Sequence, residues 1–300
     1  MIDLHLHSTS SDGSDTPAEL VVRGQRAGLT AMALTDHDTM AGTGEFLGAC
    51  RAQGMAGIAG IELSAAVEDG QGTLHILGYG MNPGCARLQE RLTLLQEGRA
   101  RRNREILAKL NDAGLKLDWD EVKAHAGEDV VGRPHFAKAL VMRDYVSTMR
   151  EAFERYLAKG RTAYVERSRL SPEECIRLIR ESEGVAVIAH PFSWETNDEK
   201  LEAGLRGLKA LGLAGIEVQH SDYNPEQTVT LLRLAKRLEL LKTGGSDFHG
   251  SAKTDLVLGR GFGTLCVPDN YLPPLLQALG HDNPSVVLSE RLRVFSYELV

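Results

Sequence analysis

Two histidines, His5 and His7, close the first apolar run of the chain. Side chains two apart on an extended strand point to one face, so both imidazoles can reach a single ion. Ten histidines in 300 residues give about 0.3 such pairs by chance, so the pair alone is weak evidence. The signal is recurrence. Asp12 follows in Ser11-Asp12-Gly13 and His37 in Thr35-Asp36-His37-Asp38. Glu62 ends Gly60-Ile61-Glu62, and His75 sits in Leu74-His75-Ile76. His190 precedes Pro191, and Asp247 and His249 lie in Ser246-Asp247-Phe248-His249. Imidazole with carboxylate suits Zn, Mn or Fe, and a carboxylate can bridge two ions. Clamped divalent ions supply an activated water and relieve charge on a phosphoryl or carbonyl oxygen, which points to a multi-metal hydrolytic centre.

Such a set needs a scaffold that gathers distant segments. Each of these residues falls at or just beyond a short apolar run: 2–5, 31–34, 58–63, 71–80 after an Asp69-Gly70 turn, 185–189 and 240–243. Amphipathic stretches separate the runs. Thr16-Pro17-Ala18-Glu19 opens one of them, with Thr16 as N-cap, Pro17 at the first helical position and Glu19 closing a capping box. Further helices are expected over 42–53 and 173–183, and a further strand over 216–218. Strands alternating with helices predict a parallel α/β sheet or barrel, whose site collects at the carboxyl ends of the strands. From 86 to 161 the pattern turns helical, with Leu88, Leu92 and Leu95, then Ile106, Leu107 and Leu110, at helical spacing. The expected division is a barrel from 1–85 and 162–300 and a helical insertion at 86–161.

Composition narrows the function. Hydrophobic residues are 42% and charged residues 25%, as in a folded soluble domain. No run approaches eighteen apolar residues, so no membrane span is expected. The start of the chain has no signal-like core, and a cytoplasmic location is expected. Lys+Arg minus Asp+Glu is 34 − 41 = −7, a poor basis for gripping duplex DNA or an anionic membrane. Cys50, Cys85, Cys175 and Cys266 form no CxxC pair and read as buried reduced thiols. Gly-x-Ser-x-Gly and P-loop motifs are absent, so neither a serine nucleophile nor nucleotide-driven chemistry is supported.

The motifs together resemble the PHP (polymerase and histidinol phosphatase) phosphoesterases. Asp3-Leu4-His5-Leu6-His7-Ser8, Ser11-Asp12-Gly13, Thr35-Asp36-His37-Asp38, Gly60-Ile61-Glu62, His75-Ile76, Ala189-His190-Pro191 and Gly245-Ser246-Asp247-Phe248-His249 carry the resemblance. Gly132-Arg133-Pro134-His135-Phe136 and Tyr156-Leu157-Ala158-Lys159-Gly160 make it most similar to the branch of nucleoside 3′,5′-bisphosphate phosphatases and 5′→3′ exoribonucleases. The resemblance implies a distorted (β/α)7 TIM-like barrel, the PHP fold, with a helical insertion and two to three divalent ions (Mn, Zn or Fe). By the family pattern His5, His7, Glu62 and Asp247 hold the first ion. Glu62 bridges to a second, completed by His75 and His190. Asp12, His37 and His249 hold the third. A hydroxide bridging the first two ions, beneath Glu62, attacks phosphorus, with His190 or Asp247 managing protons. The chain departs from the branch after His190-Pro191, where Phe192-Ser193-Trp194 replaces Gly-Arg-Tyr and a basic phosphate contact is lost.

On the substrate side, Arg133-Pro134-His135 places two anion-binding side chains at a helix start. Arg99 is expected to point inward, by similarity to the branch, while Arg101, Arg102 and Arg104 read as a solvated face. Tyr164 is a candidate to stack on a base or touch phosphate. His125, His220 and His281 read as structural or surface residues. The expected substrate is a nucleotide, pAp-like, or short 5′-phosphorylated RNA. The competing readings are a metal-binding regulatory module and C–N hydrolysis of the amidohydrolase type. The latter commonly needs a metal-bridging lysine at a strand end, and none is present. No pattern in the chain sets an oligomeric state.

Overall fold

A computed structural model describes residues 1–67, 72–124, 131–253, 255–280 and 282–289. The expected turn at Asp69-Gly70, and His125 and His281, lie outside the described residues. The chain divides into two compact units, 1–89 with 170–300, and 90–169.

The first unit is a barrel of seven strands in chain order, nearly closed. It is built from β1 (Ile2–Leu6), α1 (Pro17–Arg26), β2 (Ala31–Leu34), α2 (Thr43–Gln53), β3 (Ala56–Ala65) and β4 (Leu74–Tyr79). The helix α3 (Ala86–Asp112) leads out of it, and the second unit contributes α4 (Trp119–Lys123), α5 (Arg133–Met142) and α6 (Met149–Ala152). The barrel then resumes with α7 (Pro172–Glu181), β5 (Val185–Ala189), α8 (Asp198–Leu211), β6 (Gly215–His220), α9 (Pro225–Arg237), β7 (Leu241–Gly245), α10 (Leu272–Leu279) and β8 (Val286–Val287). α1 starts with the expected Thr16 capping box. α7 and α9 use the same device, with Ser171 and Asn224 as caps and Pro at the start. Three helices thus enter at defined angles, each cap contributing about 0.5–2 kcal/mol.

Pairing is parallel for β1–β2, β2–β3, β5–β6 and β6–β7. It is antiparallel for β3–β4 and β4–β5. β8 pairs antiparallel with β3 at Gly57 and Ile58. The barrel closes where the Asp247 N–H donates to the His5 carbonyl at 2.9 Å and the His7 N–H to the Phe248 carbonyl at 3.0 Å. Every residue of β1, β2, β3 and β5 is buried, as expected of strands covered on both faces. β3 extends two residues beyond the expected 58–63 at each end, pairing with β2 at Ala56 and Gly57 and with β4 over Gly60–Ala65.

The second unit has its own core. Ile106, Leu110, Leu117, Val122, Phe136, Leu140 and Leu157 pack together. The Asn111 side chain ties the turn after α3, accepting from the Leu117 N–H at 2.9 Å and donating to its carbonyl at 3.0 Å.

The four cysteines are free, but their surroundings differ. Cys50 and Cys175 are buried, Cys85 is half-buried and Cys266 exposed, so the expectation of four buried thiols is corrected. Burial pushes Cys50 up to about 12. Ellman's reagent should therefore titrate Cys85 and Cys266 in the native protein and all four thiols in guanidinium. A fast native reaction of Cys50 would contradict this packing.

Candidate metal centre

The nine residues singled out by type and spacing come together at one end of the barrel. His5 and His7 leave β1 on the same face and are fully buried. Asp12 sits in a tight loop shaped by Asp36. The Asp36 carboxylate accepts from the Ser8 N–H (2.7 Å), the Ser8 hydroxyl (2.7 Å) and the Ser11 hydroxyl (2.6 Å). Gly13 is required in that loop, because a Cβ there would lie 2.3 Å from the His7 carbonyl oxygen. His37 follows β2 and bridges to Glu62 on β3. His75 comes from the start of β4. That strand runs against its neighbours, so its beginning lies beside the carboxyl end of β5, with His75 opposite Ala189.

His190 and Asp247 follow β5 and β7 with φ of 25° and 54°. This left-handed region costs a non-glycine residue about 1–3 kcal/mol and concentrates at functional sites. Asp3 ties β1 to the β7 end, accepting from the Ser246 N–H (2.9 Å), the Ser246 hydroxyl (2.5 Å) and the Gly259 N–H (2.8 Å).

Glu62 is the hub. Its Oε1 lies 2.8 Å from His75 Nδ1 and 2.9 Å from His190 Nε2. Its Oε2 lies 3.3 Å from His5 Nε2, 3.2 Å from His7 Nε2 and 3.0 Å from His37 Nδ1. Asp247 Oδ1 lies 3.4 Å from His5 Nε2 and 3.1 Å from His7 Nε2. Asp12 faces His249 Nε2 at 3.3 Å and His37 Nε2 at 3.8 Å. Donor atoms of His5, His7, Glu62 and Asp247 form one group, those of His7, Asp12, His37 and His249 a second, and those of His37, Glu62 and His75 a third. His37 thus belongs to two groups, where the family pattern gave it one.

The donors fit ions. Atoms about 2.1 Å from a common metal lie about 3.0–3.4 Å apart in octahedral or tetrahedral arrangement. The His5, His7, Glu62 and Asp247 separations of 3.1–3.4 Å match this spacing. His5 Nε2, His7 Nε2, Asp12 Oδ1, His37 Nδ1 and Glu62 Oε2 are buried and have no hydrogen-bond partner. Orphaned lone pairs at that spacing are costly unless something coordinates them.

The electrostatics divide these ligands into anionic carboxylates, neutral imidazoles and imidazoles that hold a proton while no ion is bound. Burial alone would raise Glu62, yet His37, His75 and His5 hold it well below the usual carboxylate range. Asp247 is treated alike, burial being outweighed by His249 and His5, and Asp12 by His37 and His249. All three stay anionic. Burial lowers His75 and His249, which keeps them neutral donors. Burial opposes the charge on His5, His7, His37 and His190, yet the surrounding carboxylates raise all four, His7 to about 9, so these imidazoles carry protons that a bound ion would have to displace.

Sequence reasoning gives no role to Glu217 and weighs His220 only as a histidine that follows a strand. Glu217 and His220 on β6 are both buried. His220 Nε2 lies 3.6 Å from Asp247 Oδ2, so of the structural and surface readings its burial leaves the structural one, beside the centre. The signals were a lone carboxylate inside the apolar run around Ile216 and Val218, and a histidine in the same place as the other strand-end ligands. Lys253 was also missed; its Nζ donates to Asp247 Oδ2 at 2.6 Å.

Gly245 lets β7 approach β1. A Cβ there would lie 2.4 Å from His5 Cβ and 2.5 Å from its backbone nitrogen. Gly245→Ala should therefore cost about 1–3 kcal/mol as an overpacked site and weaken Mn2+ binding by displacing His5. Thermal melting and an Mn2+ titration check this; wild-type values for both would mean the strands have room to move apart.

The substrate-side candidates lie in the second unit. Arg133 donates to the Leu157 carbonyl at 3.2 Å, and its guanidinium lies over the Phe153 and Tyr164 rings at 5.9 and 5.6 Å. His135 Nδ1 accepts from the Gly132 N–H at 2.9 Å. One nitrogen of this candidate anion ligand therefore caps α5 instead. Tyr164 donates to Glu166 at 2.7 Å. Arg99 is half-buried, whereas Arg102 is buried with its guanidinium on Asn103 at 2.7 Å. The expected solvated face thus holds for Arg101 and Arg104 but not for Arg102.

Residues 3–167 match the PHP domain model. The chain is 34% identical over 249 residues to a 3′,5′-nucleoside bisphosphate phosphatase of Chromobacterium violaceum, covering 83% of this chain and 87% of that protein. It is 36% identical over 247 residues to a 5′-3′ exoribonuclease of Haemophilus influenzae, covering 82% and 89%. A solved structure from Bifidobacterium adolescentis, described as a metal-dependent phosphoesterase, superposes with a TM-score of 0.80 at 32% identity over 94% of this chain and 96% of that one. A second, from Chromobacterium violaceum and described as an amidohydrolase with bound sulfate and no metal, gives 0.81 at 31% identity over 97% and 99%.

Proposed function

The chain belongs to the PHP domain family of metal-dependent phosphoesterases, and from that premise we propose that it hydrolyses phosphate esters of nucleotides. Two forms of the activity are in view: removal of the 3′-phosphate from a 3′,5′-bisphosphate nucleotide, and stepwise release of nucleotides from short 5′-phosphorylated RNA. The curated relatives bear both names. The observation that carries the reading is Glu62, whose two oxygens face two separate sets of histidines.

Bound divalent ions, whether Mn, Zn or Fe, would neutralise phosphoryl charge and lower the pKa of a coordinated water. His5, His7, Glu62 and Asp247 would hold the first, Glu62, His75 and His190 the second, and Asp12, His37 and His249 the third. Glu62 keeps the first two sets in fixed register. His190 or Asp247 would manage protons, although a side chain engaged with an ion is a poor general base. Lys253 holds Asp247 Oδ2, leaving Oδ1 to His5 and His7.

Arg133, with Arg99, His135 and Tyr164, is proposed as the contact for a terminal phosphate. Duplex DNA is not a proposed substrate. Among the described residues no helix is long and apolar enough to cross a membrane. The four free cysteines support a cytoplasmic location.

The deciding experiment reconstitutes the full chain with Mn2+, Zn2+ or Fe2+. It supplies pAp, 5′-phosphorylated dinucleotides and an RNA pentamer, and reads released phosphate and nucleotide separately. No hydrolysis with any combination would overturn the reading and leave a metal-binding regulatory module. Arg133→Ala should raise KM for 5′-phosphorylated substrates roughly 10- to 150-fold, the equivalent of about 1.5–3 kcal/mol for a charge-assisted contact. Hydrolysis of p-nitrophenyl phosphate, which lacks a remote phosphate, should change far less. Equal loss on both substrates would mean Arg133 supports the fold.

A further inference from the structure

We propose that Glu217 is a positioning residue that braces the ligand histidines of two different ions with one carboxylate. The inference rests on the metal-centre reading above and extends it to a residue outside the nine.

Glu217 is fully buried on β6. Its Oε1 lies 3.0 Å from His5 Nδ1, and its Oε2 accepts the His190 backbone N–H at 2.7 Å. These contacts lie away from the atoms that face the centre. His5 turns Nε2 toward Glu62 and Asp247 at 3.3 and 3.4 Å, and His190 turns Nε2 toward Glu62 Oε1 at 2.9 Å. A carboxylate on Nδ1 keeps the proton there and leaves the Nε2 lone pair for an ion, so it sets both tautomer and ring direction.

The second oxygen does a different task. His190 holds φ 25° and ψ 61°, a conformation that persists only where its surroundings fix it. The bond from its N–H to Glu217 supplies that constraint and aims the ring back at Glu62. The β6–β7 register shifts between Glu217 and Gln219. This irregularity brings His220, three residues on, into the same group of donor atoms as Glu217 and His5.

A glutamine of the same shape cannot replace this carboxylate. It has one acceptor oxygen, so its NH2 must confront either the His5 Nδ1–H or the His190 N–H. Either His5 changes tautomer and loses its inward lone pair, or His190 loses its constraint. Because the ligands of both ions share the brace, both bind less well.

The test titrates Mn2+ into chelator-stripped, full-length wild type and Glu217→Gln by calorimetry with a competing chelator. Circular dichroism of the stripped proteins checks the fold. The expected result is two ions each weakened by roughly 10- to 100-fold, the range for partners that orient metal ligands. Wild-type affinities in the variant would overturn the proposal. So would loss of one ion with the others unchanged, which would make Glu217 a ligand or the support of one histidine. A wild type that takes up no ions would instead overturn the metal-centre reading, and this one with it. Should the variant not fold, 15N NMR of the Zn2+-loaded wild type decides. The brace requires His5 to be protonated at Nδ1 and coordinated through Nε2; coordination through Nδ1 excludes it.

Discussion

Glu62→Gln should lower kcat/KM for nucleotide ester hydrolysis by about 10³-fold or more, beyond the 10- to 100-fold typical of residues that only support a ligand. The side chain is fully buried and its shape is unchanged by the substitution, so the fold should survive. What changes is the charge between two sets of histidines. The amide nitrogen would replace one oxygen, facing either the His75 and His190 pair or the His5, His7 and His37 set. It has no lone pair to offer an ion. The remaining neutral oxygen attracts a cation far less than a carboxylate that its histidines hold well below its usual range. Both ions should weaken, and the water they acidify should become a poorer nucleophile. Single-turnover rates at saturating Mn2+, together with a metal count, check this. Wild-type turnover would mean that Glu62 is not shared between ions. A normal metal count with slow turnover would place its role in the chemistry itself.

Much of this centre was legible because its chemistry needs residue types that are rare in apolar runs. Eight of the nine His, Asp and Glu residues lie at or just beyond the ends of predicted strands and gather as the parallel α/β rule requires. The rule does not extend to His75, which lies near the start of a strand. Only the reversal of β4 brings that start to the working end, and no local pattern encodes strand direction. Glu62 was read as closing its strand, but β3 continues to Ala65, because pairing with β4 is a long-range contact invisible to propensity. The joint placement of Glu217 and His220 is hidden for a related reason. They are three apart, so strict alternation assigns them to opposite faces, and the register shift beside Gln219 cancels that. Asp36 stood inside a recognised motif, yet its task of shaping the Asp12 loop through Ser8 and Ser11 depends on a contact across 25–28 positions of chain. In the second unit the helical pattern was plain. Which arginine turns inward was not, since Arg102 is buried and its neighbours Arg101 and Arg104 are exposed.

Removing ions should cost the protein stability as well as activity, and the effect should be large. Carboxylates at Asp12, Glu62 and Asp247 are held ionised by surrounding imidazoles, while lone pairs on His5, His7 and Glu62 have no hydrogen-bond partner. The unfolded chain hydrates all these groups, whereas the folded metal-free state sets only the imidazole–carboxylate contacts against their desolvation. An ion that binds the folded state stabilises it by about 2.7 kcal/mol at a free concentration a hundred times its Kd. Two ions therefore contribute about 5 kcal/mol, which corresponds to a Tm rise of roughly 10–20 °C at about 2–4 °C per kcal/mol. Calorimetric scans of chelator-treated protein with and without added Mn2+ or Zn2+ measure the shift directly. Ca2+ should give much less, since a site built largely of imidazole suits a softer ion than one that prefers an all-oxygen shell. The same scans on Glu62→Gln separate the contributions. If the shift comes from ions held between the two sets of histidines, most of it should vanish in that variant. A Tm that does not respond to metal in the wild type would mean that the histidine and carboxylate groups are satisfied by one another, and that the spacing of 3.1–3.4 Å around His5 and His7 reflects hydrogen bonding and not a coordination sphere.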